Sequence, residues 1–173
     1  MAWGVKFWHG NMVARRIFAL QNNYRQRNEE GICTAASLFW CRKCLELGRA
    51  VNTWDEIGKS DHSLNIIMHT LRTMDNNPVA QTELAGLQSV GGDRVAGSME
   101  EVMTIIKSSA SKIGIFWNGY HTMGYRYSHH EKDMFDMNYG LFRSKYSKGI
   151  EVKYEELYAG PQDRIRGCRI VAL

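Results

Sequence analysis

Three residue types able to do acyl chemistry stand in this chain at informative places. Cys33 lies in Gly31-Ile32-Cys33-Thr34-Ala35-Ala36-Ser37, His121 opens an apolar stretch, and Asp136 follows fifteen residues later in Phe135-Asp136-Met137-Asn138-Tyr139-Gly140. A thiol, an imidazole and a carboxylate in that order can form and resolve a covalent thioester. The thiolate attacks a carbonyl, the imidazole moves the proton, and the carboxylate orients the imidazole. The elements around them must bring the three together.

Gly31 to Gly48 reads as a helix, with apolar Ala36, Phe39, Trp40, Cys44 and Leu47 on one face and Gly48 as its stop. Cys33 then falls in the first turn, where the positive end of the helix dipole favours a thiolate. A buried helix cysteine with no chemistry is the plain alternative. An antiparallel register that sets His121 opposite Asp136 puts a turn at 127–130, and the two side chains then share one sheet face. Asn28, five residues before Cys33, can supply an amide to an oxyanion beside the Cys33 N–H, with Gln26 as its rival. Glu29 and Glu30 oppose a thiolate nearby, so they are expected to face solvent or a basic group of the substrate.

Other candidates read as scaffold. His129 and His130 sit at the expected hairpin tip, and His129-His130-Glu131 has no spaced second pair of metal ligands. Cys41-Arg-Lys-Cys44 has CxxC spacing, but inside a helix and without a second CxxC. Ser37 and Trp40 read as packing. No metal and no cofactor is expected.

The remaining elements follow from pattern. Residues 11–25 read as a helix on Met12, Ile17, Phe18 and Leu20, and 60–75 as another, capped by Ser60 or Asp61 and lined by Leu64, Ile67, Met68 and Leu71. Ser89 to Gly97 is the most loop-like stretch. Ser98 to Ser109 is helical, with Ser98 and Glu101 in capping-box spacing. Residues 112–117, 121–128, 134–142 and 169–173 read as strands, and 154–158 as a short helix or strand. Helices first and antiparallel strands second make an α+β architecture, with the helices on one side of a sheet. Residues 1–173 are expected to form one catalytic domain.

Composition narrows the class. Hydrophobic residues are 44% and charged residues 23%, which suits a chain with a packed core rather than a disordered one. The net charge of +4 comes from basic residues scattered along helix-like segments, not from a basic cluster with interleaved aromatics, so a nucleic-acid partner is not expected. No apolar run is long enough for a membrane span, and the first residues lack a signal-peptide core. Four cysteines are too few for a disulfide-stapled scaffold, which points to free thiols in a reducing compartment.

The two motifs resemble those of the YopT-type cysteine proteases, papain-like effectors that bacteria inject into host cells. That family shows G-V-C-x-x-L-S-x-x-W, and this chain has Gly31-Ile32-Cys33-Thr34-Ala35-Ala36-Ser37-Leu38-Phe39-Trp40. It also shows a histidine opening a strand, followed by F-D-P-N-x-G, matched here by His121 and Phe135 to Gly140. Ala36 stands for the usual leucine and Met137 for the usual proline. The resemblance implies a papain-like cysteine protease fold, with Cys33 as nucleophile, His121 as base, Asp136 as orienter and Asn28 as oxyanion residue. It also implies a protein substrate in a host or target cell, reached through specialised secretion. The same machinery can instead deamidate glutamine or transfer an acyl group, and a binding module without turnover is the non-enzymatic alternative.

Overall fold

The computed structural model describes residues 13–20, 32–57 and 78–173. In chain order these form β1 (Arg15–Ala19), α1 (Ile32–Leu47), α2 (Trp54–Ile57), α3 (Pro78–Leu84), β2 (Gln88–Val95), α4 (Met99–Lys107), β3 (Ile113–Trp117), β4 (Thr122–Tyr127), β5 (Lys132–Asp136), β6 (Gly140–Ser144), α5 (Ser147–Leu157) and β7 (Gly167–Ala172). The seven strands make one sheet in the order β1-β6-β5-β4-β3-β7-β2, and every pair is antiparallel. The expected α+β class with an antiparallel sheet is the observed one.

The sheet is covered on both faces rather than on one. Phe116, Met123, Met134, Phe142 and Ile170 point into a core with Val102 and Ile106 of α4 and Ile150 and Tyr154 of α5. Ile113, Ile115, Phe135, Leu141 and Val171 point the other way, against Leu38, Trp40 and Cys41 of α1. Successive strand residues alternate between the two cores, so β5 and β6 are buried at every position. α4 and α5 therefore add a second helical layer to the one expected from the sequence.

α1 is the central helix. Ala35, Ala36, Ser37, Leu38, Trp40 and Cys41 are all fully buried, and the helix ends at Gly48 with φ of 65°. It lies close on β4 because Gly124 leaves room: a Cβ there would stand 2.5 Å from the Trp40 ring. Trp40 in turn stacks on Phe135 of β5, with centroids 5.6 Å apart. Ser98 caps α4 as expected, while the Glu101 carboxylate reaches one residue past the cap. Ser98 accepts from the Glu101 N–H, and Glu101 Oε2 accepts from the Gly97 N–H at 2.6 Å.

Three expectations about the elements are corrected. Arg15–Ala19, read as helix, is strand β1 on the edge beside β6, with a register shift between Arg16 and Phe18. The shift leaves Ile17 and Phe18 both against the core, which mimicked helical spacing in the sequence. Ser89 to Gly97, read as loop, mostly forms strand β2 on the opposite edge. Gly91 and Gly92, with φ of 77° and 72°, make a bulge there, and β7 supplies the ladder on either side. The single strand expected at 134–142 is two strands, with Tyr139 N–H donating to Asp136 O across the turn. Gly140 is required after that turn: its φ is 121°, and a Cβ would meet Phe18 O at 2.0 Å. Tyr154–Leu157 closes helix α5. The helix expected at 60–75 lies outside the described residues.

A buried ion-pair group ties the layers together. Asp133 of β5, fully buried, accepts from Arg143 Nε at 2.7 Å and from Arg126 Nε at 3.1 Å. Arg143 also donates to Val51 O and Asn52 Oδ1, so the chain leaving α1 is held against β6. Among the described residues no helix is long and apolar enough to cross a membrane.

Candidate active site

Cys33 is the second residue of α1 and is 6% exposed. In that first turn the helix dipole places positive potential at the sulfur. His121 sits in the connection between β3 and β4, 2% exposed. Asn118 shapes that connection: its Oδ1 accepts from the N–H groups of Tyr120 (3.1 Å) and His121 (2.9 Å). Asp136 ends β5 and is fully buried.

The fold brings the three together. His121 Nε2 lies 2.8 Å from Asp136 Oδ1, and since a carboxylate only accepts, Nε2 carries the proton. Nδ1 is buried and is the nitrogen left for the neighbouring Cys33 thiol. The β4–β5 register pairs Gly124 with Phe135 and Tyr127 with Lys132, and Ser128 N–H donates to Glu131 O. The turn therefore comes one residue later than expected and the register moves by two. A two-residue shift keeps every side chain on its face, so His121 reaches Asp136 diagonally instead of directly opposite.

Two hydrogen bonds lock α1 to the start of β4. Thr34 Oγ1 donates to Thr122 Oγ1 at 3.0 Å, and Ser37 Oγ donates to Thr122 O at 3.4 Å. Ser37, read as packing, thus also helps to set the helix against the strand.

The electrostatics separate Cys33 from the other thiols. Burial pushes its titration up, but the hydrogen bond and charge of His121, with backbone bonds from Thr122 and Thr34, bring it below the ordinary thiol value. Burial alone would keep His121 neutral. Asp136 and Cys33 outweigh it and raise the imidazole to about 10. Cys44 is pushed up to about 12 and Cys168 to about 11, both chiefly by burial, and Cys41 rises well above its ordinary value for the same reason. All four cysteines are free. The CxxC pair is thus two buried thiols whose titration is raised.

Asp136 has partners that the sequence did not suggest. The Asn138 N–H donates to Oδ1 at 2.8 Å, and the Tyr158 hydroxyl donates to Oδ2. The Tyr158 ring lies against His121, with centroids 5.7 Å apart. No local pattern marks Tyr158, which lies beyond α5. Its role appears only when α5 packs behind β5. Asn28, Gln26, Glu29 and Glu30 lie outside the described residues. His129 and His130 are exposed at the hairpin tip, edge to face at 5.2 Å. No group of three or more His, Cys, Asp or Glu suited to a metal occurs among the described residues.

The architecture resembles those of solved structures. The Pseudomonas avirulence protein AvrPphB superposes with a TM-score of 0.53 over 93% of this chain and 96% of that one, at 16% identity. PatoxP, a cysteine protease-like domain of the Photorhabdus asymbiotica toxin PaTox, superposes with a TM-score of 0.55 over 97% of this chain and 58% of that one, at 13% identity. The fold is that of a papain-like cysteine protease. The resemblance to the YopT-type proteases is upheld at this level, that of the fold. No protein-family model and no curated protein matches the sequence. In this fold the first turn of α1 meets the start of β4.

Proposed function

We propose that the protein is a cysteine protease working through Cys33, His121 and Asp136. One observation carries the reading. A single thiol of four is lowered in its titration, and its neighbour is a buried imidazole whose far nitrogen is held by a buried carboxylate. Such a pair rests as thiolate and imidazolium, ready to attack without a separate deprotonation.

The steps follow from that pair. Cys33 Sγ attacks the scissile carbonyl carbon, forming a C–S bond and an oxyanion. The Cys33 N–H at the free end of α1, joined by the Asn28 amide, would donate to that oxyanion. The C–N bond then breaks as the His121 imidazolium gives its proton to the leaving amine, which leaves a thioester. Water attacks the thioester while His121 takes its proton, the acid product departs, and the thiolate–imidazolium pair is restored. Asp136 accepts from Nε2 and keeps the ring in the tautomer that points Nδ1 at the sulfur.

The substrate in this reading is a protein of a host or target cell, reached by specialised secretion. What supports it is the fold likeness to an avirulence protein and to a toxin domain. The test is exposure of candidate target-cell lysates to wild type and to Cys33→Ala, His121→Ala and Asp136→Ala, each checked for folding by circular dichroism. New protein termini that appear with wild type and vanish with all three variants are expected. Cleavage that persists in Cys33→Ala would overturn the proposal. Glutamine-to-glutamate conversion without new termini would move the reaction to deamidation by the same residues.

A further inference from the structure

We propose that Tyr158 is the positioning residue of this site, its hydroxyl holding Asp136 Oδ2 while its ring covers His121. The inference rests on the Cys33–His121–Asp136 reading and deepens it. Asp136 has two oxygens to hold still. Oδ1 already accepts from His121 Nε2 and the Asn138 N–H, both at 2.8 Å. A carboxylate pinned at one oxygen can still swing the other. Tyr158 removes that freedom by donating to Oδ2, in a place from which solvent is shut out. Burial and the charge of Asp136 hold the phenol protonated far above its ordinary range, so it serves as a donor.

The ring has its own supports. Tyr158 stacks on His121 at 5.7 Å and on Tyr154 at 5.2 Å, and meets Tyr139 edge to face at 6.1 Å. Tyr154 is fixed in turn, because its hydroxyl donates to Asp163 O and accepts from Asn118 Nδ2. Asn118 is the same side chain that accepts from the His121 N–H. The contacts close a circuit: Asn118, Tyr154, Tyr158, Asp136, His121 and back to Asn118. The end of α5 therefore grips His121 at its backbone through Asn118 and at its ring through Asp136. A residue that only filled space would need the aromatic ring but not the hydroxyl.

The experiment compares wild type with Tyr158→Phe, which keeps the ring and removes the donor. Two readouts are taken: the rate of Cys33 alkylation by iodoacetamide at pH 6, by peptide mass spectrometry, and the His121 Nε2 proton by NMR. Expected are alkylation slowed about tenfold, the scale of one hydrogen bond to a charged group, and a shifted, faster-exchanging Nε2 proton. If both readouts stay at wild-type values, or alkylation falls while the Nε2 proton is unmoved, the positioning role is overturned. If Cys33 of the wild type labels no faster than Cys41, Cys44 and Cys168, the protease reading fails, and the Nε2 proton alone then decides for or against Tyr158. Should Tyr158→Phe fail to fold, the wild type decides. A slowly exchanging Tyr158 hydroxyl proton with a cross-peak to the His121 ring supports the role, and its absence overturns it.

Discussion

Thr34 and Thr122 share a hydrogen bond of 3.0 Å between their hydroxyls, and each is the residue that directly follows a candidate catalytic one, Cys33 or His121. The bond joins the first turn of α1 to the first residue of β4, so it sets how near the sulfur comes to the imidazole. Thr34→Val is expected to cost about 1 kcal/mol of stability. It should slow Cys33 alkylation by more than that loss of stability explains, since the variant stays folded at 25 °C. Urea unfolding and timed iodoacetamide labelling, run on the same samples, separate the two effects.

The titrations of Cys33 and His121 set a pH window. With the thiol lowered and the imidazole raised to about 10, the thiolate–imidazolium pair is favoured over the neutral pair. Cys33 should therefore label selectively below pH 7, and lose that selectivity in His121→Ala. Turnover needs the imidazolium to protonate the leaving amine, so it should decline as pH rises through about 10. The sign for stability is the same. A raised histidine stabilises the fold fully below its ordinary value of 6.5 and loses that contribution as pH climbs toward about 10. Melting temperatures of wild type and His121→Gln should therefore converge across that interval.

Gly124 is a packing requirement, not a flexible joint. A methyl group there would stand 2.5 Å from the Trp40 ring, which is itself stacked on Phe135. Gly124→Ala must push α1 away from β4, at a cost of about 1–3 kcal/mol. Because α1 carries Cys33, alkylation should slow as well. Retained stability together with wild-type labelling would show that the helix does not depend on this contact.

The charge group around Asp133 lies away from the site and should act on stability alone. Asp133→Ala leaves the buried Arg143 without its carboxylate, a change expected to cost about 3–5 kcal/mol in denaturant unfolding. Under conditions where the variant remains folded, Cys33 should label at the wild-type rate. A selective loss of Cys33 reactivity would mean that the anchoring of Val51 and Asn52 also reaches the site.

Much of the candidate site was legible because its signals are local. Cys33 at a helix start after Gly31, Gly48 at the helix end, and the Ser98–Glu101 capping pair all depend on neighbours within one turn, and the structure bears each out. His121 and Asp136 could be assigned to one face because side chains in strands alternate with period two. The pairing survived a register shift of two for the same reason. Other features needed distant partners. Arg15–Ala19 and Gln88–Val95 are edge strands whose ladders come from β6 and β7, partners distant in the chain. The second helical layer came from α4 and α5 packing behind strands that are apolar on both faces. Tyr158 reaches Asp136 across 22 residues of chain, at the end of a helix with no motif around it. The sequence by itself marked the candidate residues for the chemistry, since residue type and local spacing suffice for that. Tertiary structure alone decided what holds them still, because those contacts form only where α5 closes over the end of β5.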